Sequence, residues 1–295
     1  MKPMVERRLQ RGRASLFYRL WPATTPGAPT LVMLHGFASN STRWSNFAAT
    51  TGLRPDWNIL CPDLRGHGHS PWRGRLTAEH WLDDLAAVLD AEGIERAAIG
   101  GHCLGANTAL RFAREHAART RRLVLVEPLD PTALSGRLAR MRRLRGLLPG
   151  LAAPVRLANA LGLYRRDLPV LDLAALDRET QARLTTSGDT RVLTQRYGSV
   201  RHDLRYMALA AYLQALAEVV RPLPALGDVQ QPALVLLSSG GLFGDPAHAR
   251  ATLAALPAAT VETLDAEHWI PTEQPERMAS LIDTWLSMRE SAPGR

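Results

Sequence analysis

The sequence has few cysteines, almost no lysine and no long apolar run. Cys61 and Cys103 are the only cysteines in 295 residues, too few for a disulfide framework, so a reducing compartment is favoured. A membrane-spanning helix needs about 18 consecutive apolar residues, and no run approaches that length. The N-terminus has no apolar stretch behind its charged residues, which argues against a signal peptide. We therefore expect a cytoplasmic protein.

The charge of the chain is strongly basic and locally concentrated. Lys2 is the only lysine among 36 basic residues, which outnumber 28 acidic ones and give a formal net charge of +8. Between residues 131 and 166 there is no aspartate or glutamate, although this stretch contains eight arginines. These are Arg137, Arg140, Arg142, Arg143, Arg145, Arg156, Arg165 and Arg166. Such an excess favours an acidic partner, and no recognised nucleic-acid-binding motif accompanies it.

Short apolar runs alternate with helical periods from about residue 30 onwards. The runs predict strands at 31–34, 58–61, 97–99, 123–126 and 233–237. The periods predict helices that begin after Thr77 and end at Gly93, and others over 104–118, 246–256 and 274–289. This alternation predicts an α/β protein with a mostly parallel sheet and helices on both faces.

Residues 131–225 interrupt the alternation, because they lack clear strand runs and are expected to form several helices. We interpret them as a helical lid inserted after the sixth strand, with residues 1–130 and 226–295 forming the α/β core. An insertion at this point would lie over the carboxyl ends of the strands, where open α/β sheets bind ligands. Four tyrosines in the insertion could line a channel or pack in its own core. These are Tyr164, Tyr197, Tyr206 and Tyr212.

Gly101-His102-Cys103-Leu104-Gly105 lies between a predicted strand and a predicted helix. This is the context of the G-x-S-x-G nucleophile turn, with cysteine at the central position. The adjoining helix N-terminus favours the thiolate form of a cysteine. The alternative is a buried structural cysteine in a chance pattern.

Several motifs together resemble the α/β-hydrolase fold with a helical lid, over residues 30–289. They are the Cys103 turn, His35-Gly36-Phe37 after a strand, and His268 before the last helix. The resemblance implies that His268 is the general base. It also implies that the backbone N–H groups of Phe37 and Leu104 form the oxyanion hole.

The sequence offers three candidates for the acid of the expected triad. Many members of the family carry it after the strand that corresponds to 233–237, where this chain has no carboxylate at the expected position. Asp130, near the carboxyl end of the preceding strand, is the favoured acid. Asp245 and Glu127 remain alternatives. The predicted triad is therefore Cys103, His268 and Asp130.

A cysteine nucleophile and an acid at Asp130 together resemble the Dieckmann cyclases that release tetramic acids from polyketide/nonribosomal-peptide assembly lines. The resemblance implies that a β-ketoacyl-aminoacyl thioester on a carrier protein is transferred to Cys103 and cyclised by C–C bond formation. A cysteine-dependent thioesterase or esterase is the alternative, and a non-catalytic receptor is a more distant one. No metal or organic cofactor is expected.

The arginine-rich helix of the insertion offers a docking surface for the carrier protein. We expect Arg140, Arg142 and Arg143 to contact an acidic carrier, although a merely solvated helix face would show the same pattern. We expect neither nucleic-acid binding nor stable membrane association.

Overall fold

The core of the protein is an eight-stranded sheet. The computed structural model describes residues 2–288, and the strands follow the spatial order β1-β2-β4-β3-β5-β6-β7-β8. Strands β3 to β8 are parallel, while β1 and β2 join one edge in antiparallel pairing. The strands are β1 Val5–Arg11, β2 Ala14–Trp21, β3 Thr30–Leu34, β4 Asn58–Pro62, β5 Ala97–His102, β6 Thr120–Val126, β7 Ala233–Ser238 and β8 Ala259–Leu264.

Helices cover both faces of this sheet, as the sequence predicts. In chain order they are α1 Ser45–Thr50, α2 Ala78–Ala91, α3 Leu104–Glu115, α4 Gly136–Arg143, α5 Leu148–Ala160, α6 Leu173–Ser187, α7 Arg191–Tyr197, α8 Val200–Tyr206, α9 Leu209–Val219, α10 Pro246–Leu253, α11 Ile270–Glu273 and α12 Pro275–Ser287. No helix in residues 2–288 is both long and apolar enough to cross a membrane.

The side chains of β3 point alternately to the two faces of the sheet, and each face has its own hydrophobic core. Val32 and Leu34 pack with α2 and α3 on one face, whereas Leu31 and Met33 pack with α1 and α12 on the other. All four side chains are fully buried, each contributing about 1.5–3 kcal/mol by the usual transfer estimate. A strand buried on both faces needs a continuous apolar run, which is the pattern seen in the sequence.

Three strands, β1, β2 and β8, have no counterpart in the sequence prediction. The edge strands β1 and β8 are partly exposed, so polar side chains interrupt any apolar run in them. Helix boundaries also differ, because α3 and α10 end three residues before the predicted position. The last helix, predicted over 274–289, occupies Pro275–Ser287, and residue 289 lies outside the described residues.

The stretch 131–225 leaves the sheet after β6 and returns before β7. It contains α4 to α9 and, over these residues, none of the sheet strands. Because β6 ends at Val126, this insertion begins at the carboxyl edge of the sheet. The segments expected to form the core are 1–130 and 226–295. Residue 1 of the first segment and residues 289–295 of the second lie outside the described part of the chain.

Candidate active site

Cys103 occupies a sharp turn between β5 and α3. Its φ of 53° and ψ of −113° are in a region that non-glycine residues rarely adopt. The backbone N–H of Cys103 donates to the carbonyl of Val126 at 3.0 Å, which fixes the turn against the end of β6. The thiol therefore lies at the carboxyl edge of the sheet and at the N-terminus of α3.

The glycines on either side allow β5 and α3 to approach β3 closely. A Cβ at Gly101 would lie 2.6 Å from the carbonyl carbon of Gly105 and 2.7 Å from the carbonyl oxygen of Leu34. A Cβ at Gly105 would lie 2.7 Å from the carbonyl oxygen of His35. These distances leave no room for any side chain, so the turn requires both glycines.

His268 lies in the loop between β8 and α11, buried beside Cys103. Its Nδ1 is 3.0 Å from Oε2 of Glu127, and its ring also interacts with the Cys103 side chain. Glu273 holds the loop by accepting hydrogen bonds from the backbone N–H groups of Glu267, His268 and Trp269. The ring of Phe243 contacts His268 edge-on at 4.7 Å.

The acid that faces His268 is Glu127, where the sequence predicts Asp130. Glu127 is the first residue after β6, and its φ of 49° turns the side chain toward the His268 loop. Its other oxygen accepts a hydrogen bond from the backbone N–H of Ser238. Among the three candidate carboxylates, Glu127 is the one positioned to fix the imidazole.

The other two candidate acids stabilise local turns instead. Asp130 accepts hydrogen bonds from Thr132, at 2.8 Å from its backbone N–H, and lies 3.8 Å from His248. Asp245 caps α10 by accepting from the N–H groups at its start. The chain turns away from the strand end after Glu127, so a carboxylate three residues later faces a different side.

The buried surroundings of His268 have opposing effects on its pKa. Burial by itself lowers this pKa, but interactions with Cys103 and Glu127 outweigh it and raise the pKa to about 10. The ring therefore lies between a carboxylate and a sulfur that both favour its protonated form. A cysteine beside such a ring can act as a nucleophile once its proton passes to the imidazole.

His102 supports the site without taking part in the same proton network. Its Nε2 is 3.0 Å from the carbonyl oxygen of His268, an arrangement in which Nε2–H donates to that oxygen. Burial, followed by the charges of His268 and Arg43, lowers the pKa of His102 well below its usual range. The neutral ring therefore positions the His268 loop against the Cys103 turn.

The two predicted oxyanion donors flank Cys103. Leu104 is the first residue of α3, and Phe37 follows Gly36, whose Cβ position would lie 3.6 Å from the Cβ of Cys103. Within the described part of the chain, no hydrogen bond uses the backbone N–H of Phe37 or Leu104. Both N–H groups are thus available to an oxygen on a carbon attacked by the thiol.

A cavity of about 410 Å³ joins Cys103 and His268 to the insertion. Its wall is mainly apolar and includes Leu138 and Met141 of α4, and Leu216 and Val219 of α9. Of the four tyrosines considered above, Tyr197 and Tyr212 line this cavity, whereas Tyr164 and Tyr206 do not. Helix α4 therefore has one side on the cavity, and its Arg140, Arg142 and Arg143 are exposed.

A buried ionic network, not predicted from the sequence, ties the insertion to the core. Arg43 pairs with Asp177 of α6 and donates to the hydroxyl of Thr272 at 2.9 Å. The hydroxyl of Tyr197 donates to Asp177 at 2.6 Å, and the guanidinium of Arg43 lies 4.8 Å from the centre of the Tyr197 ring. The network thus joins α6 and α7 to the segment that follows His268.

Comparison with known proteins agrees with the fold. A family model described as alpha/beta hydrolase fold matches residues 29–275. The chain belongs to the α/β-hydrolase fold family. No group of three or more side chains suited to metal binding occurs in residues 2–288.

Several relatives of this α/β-hydrolase, and several solved structures of other proteins that resemble it, carry names of hydrolytic enzymes. Lipase LipV of Mycobacterium tuberculosis is 29% identical over 278 residues, which cover 90% of this chain and 96% of the lipase. A hydrolase of Pseudomonas aeruginosa superposes with a TM-score of 0.70 at 21% identity, covering 96% of this chain and 98% of the other. E-2-(acetamidomethylene)succinate hydrolase gives 0.68 at 20% identity, covering 97% and 100%. The two structural similarities bear on the fold alone.

Substitution of the two candidate acids should have unequal effects on activity. Glu127→Gln removes the carboxylate charge beside Nδ1 of His268 and should lower kcat by up to about 10⁴-fold, the loss seen when the aspartate of a triad becomes asparagine. Asp130→Asn, the matched control, should stay within about tenfold of wild type, because Asp130 only stabilises its own turn. Thiol release from an acyl thioester measures both. A larger loss in Asp130→Asn would restore Asp130 as the acid.

The protonation of His268 can be followed directly by NMR of a histidine-labelled protein. The protonated-ring signal should persist well above the ordinary pKa of about 6.5. Glu127→Gln should move the transition to lower pH, because the imidazolium loses a favourable charge interaction. Cys103→Ala should also lower it. A transition near the ordinary value in wild type, unmoved by either change, would contradict the ion-pair description.

Proposed function

We propose that this α/β-hydrolase is a Dieckmann cyclase that takes a β-ketoacyl-aminoacyl chain from a carrier-protein thioester and releases it as a tetramic acid or related ring. The observation that carries the proposal is a cysteine in the nucleophile turn, paired with His268 next to a mainly apolar cavity. A cytoplasmic location is part of the proposal and agrees with the unpaired state of Cys61 and Cys103.

In the first step the Cys103 thiolate attacks the carbonyl carbon of the carrier thioester. The oxygen becomes negative and is bound by the N–H groups of Phe37 and Leu104. The bond to the carrier sulfur then breaks, and the departing thiolate takes the proton of His268. One thioester replaces another, so the acyl group on Cys103 remains activated for carbon–carbon bond formation.

Acylation changes what His268 can do. The thiolate charge that helps to keep the ring protonated is gone once the sulfur is acylated, so the neutral ring becomes available as a base. His268 then removes a proton from the carbon between the ketone and the amide carbonyl. The resulting enolate attacks the acyl carbon, the ring closes and the Cys103 thiolate leaves, which restores the initial ion pair.

Burial of the reacting groups favours cyclisation over hydrolysis. Cys103 is 8% exposed and His268 is 4% exposed beneath the insertion. Limited access of water would leave the substrate's own carbon nucleophile as the nearer reactant for the acyl-enzyme.

Hydrolysis on the same residues is the alternative function. It is favoured by the relatives, since LipV is named a lipase and 2-hydroxymuconate semialdehyde hydrolase of Pseudomonas sp. is 35% identical over 99 residues, covering 32% of this chain and 35% of that enzyme. In that reaction water would replace the enolate as the attacking group, and the product would be the free acid.

The product of turnover distinguishes these reactions. Incubated with a β-ketoacyl-aminoacyl thioester, the wild-type protein should give a ring that has lost the thiol and gained no water, as measured by mass spectrometry. Cys103→Ala should reduce turnover by at least about 10³-fold, because it removes the nucleophile. Cys61→Ala is the matched control, since Cys61 is buried in β4, away from the cavity. Free acid as the sole wild-type product would replace the cyclase with a thioesterase.

The carrier is proposed to dock on the exposed side of α4. Arg140, Arg142 and Arg143 point to an acidic partner, and the same helix lines the cavity through Leu138 and Met141. Apolar side chains exposed further along the insertion offer additional contacts. They are Leu144, Leu147, Leu151, Leu157, Leu161 and Leu163. A carrier bound here would deliver its thioester arm beside the wall of the cavity.

Reversal of charge on α4 tests this docking surface. The triple change of Arg140, Arg142 and Arg143 to Glu should lower kcat/KM for a carrier-bound substrate by about tenfold or more, as complementary charges act on association. A small thioester mimic should be unaffected. The control changes three exposed arginines outside the cavity wall, Arg13, Arg96 and Arg277, to Glu. Equal loss on both substrates, or binding of the wild-type protein to anionic vesicles instead of carrier, would refute carrier docking.

A further inference from the structure

Two polar side chains on consecutive helices of the insertion line the mainly apolar cavity without a hydrogen-bond partner among residues 2–288. The carboxylate of Asp203, on α8, and the hydroxyl of Tyr212, on α9, both belong to residues of the wall. No side-chain hydrogen bond or ion pair within residues 2–288 involves either group. Polar groups in a mainly apolar wall gain from a hydrogen-bonding partner, which a bound ligand can supply.

The two groups lie near each other and near the reacting centre. The ring of Tyr212 packs against the ring of Phe37 at 4.9 Å, and Phe37 provides one of the oxyanion donors proposed above. Burial and the charge of Asp203 raise the pKa of the Tyr212 hydroxyl, which shows that the carboxylate lies within electrostatic range. The pair is therefore on the side of the cavity that leads to the acyl carbon.

No ion pair among residues 2–288 involves Asp203, although Arg43 and Arg137 belong to the same cavity wall. Burial alone raises the pKa of its carboxyl to about 7, whereas a neighbouring arginine would oppose that change. Asp203 is thus a hydrogen-bond acceptor without a protein donor. Tyr212 can accept or donate through its hydroxyl.

We propose that Asp203 and Tyr212 form a polar subsite that binds the amide N–H of the substrate. This inference rests on the proposed function, since a β-ketoacyl-aminoacyl thioester carries such an N–H beside its reacting carbonyl, separated from it only by the α-carbon. Asp203 accepts the N–H, and Tyr212 donates to a carbonyl oxygen of the same chain. A plain acyl thioester of equal length offers no donor at this position. The subsite therefore selects aminoacyl substrates.

Binding to the Cys103→Ala protein tests the subsite without any turnover. The probes are a medium-chain 3-oxoacyl amide of glycine methyl ester and its N-methyl twin, compared by isothermal calorimetry. At a pH above about 8, where a carboxyl with a pKa of about 7 is ionised, the N–H probe should bind roughly 10-fold or more tightly, the expected value for a hydrogen bond to a charged group. Adding Asp203→Leu should remove most of that preference, whereas Asp203→Asn, which keeps an acceptor oxygen, should retain part of it. Tyr212→Phe should weaken binding of both probes by a smaller factor.

A matched carboxylate on the same insertion serves as the control. The side chain of Asp189 is 40% exposed, pairs with Arg191 and does not line the cavity, so Asp189→Leu should leave the preference unchanged. An unchanged preference in Asp203→Leu, an equal loss of affinity for both probes, or no binding of either probe would overturn the subsite.

The same ratio can be measured with Cys103 intact. Thiol release from the N–H and N-methyl thioesters should show a ratio of kcat/KM values that falls in Asp203→Leu. That ratio is independent of whether the released product is a ring or an acid. If the product is a free acid and the wild-type protein still prefers the N–H thioester, the cyclase is refuted and the subsite is supported. If the product is a ring and the two thioesters react equally well, the subsite is refuted and the cyclase is supported.

Discussion

The close approach of three backbone segments around Cys103 is the constraint on which the site depends. Gly101 and Gly105 let β5 and α3 lie against the end of β3, and a side chain at either glycine would collide with backbone atoms. The central residue is left with a positive φ, which the surrounding packing must maintain. Its thiol consequently emerges at the helix N-terminus, beside the two N–H groups proposed to bind an oxyanion.

A second constraint is the burial of His268 together with its carboxylate. Isolated buried charges are expensive, and here the His268 ring is placed between Glu127 and Cys103, which both favour its protonated form. Glu127 is in turn held by the backbone of Ser238, and the His268 loop by Glu273. The proposed reaction uses this balance, since acylation of the sulfur removes one of the two partners that keep the ring protonated.

The insertion combines separate tasks on separate surfaces. The side of the insertion that faces the cavity forms most of the apolar wall and carries Asp203 and Tyr212. Arg43, Asp177 and Tyr197 connect the insertion to the segment after His268. Its outer side bears the arginines and exposed leucines proposed to meet the carrier. The proposed substrate subsite and the proposed carrier surface therefore use different helices of the insertion, α8 and α9 for the subsite and α4 for the carrier.

The sequence by itself determined the parallel core strands, the Cys103 turn, the His268 loop and the helical character of 131–225, because apolar runs, glycine spacing and helical periods are local properties. The edge strands β1 and β8 were missed because exposed strands need no apolar run. Only the tertiary structure shows that Glu127, and not Asp130, faces His268. The position of this carboxylate depends on where the backbone turns after β6 and on a loop far away in the sequence. The Arg43–Asp177 pair and the Asp203–Tyr212 pair likewise depend on how the insertion folds onto the core, which no local pattern specifies.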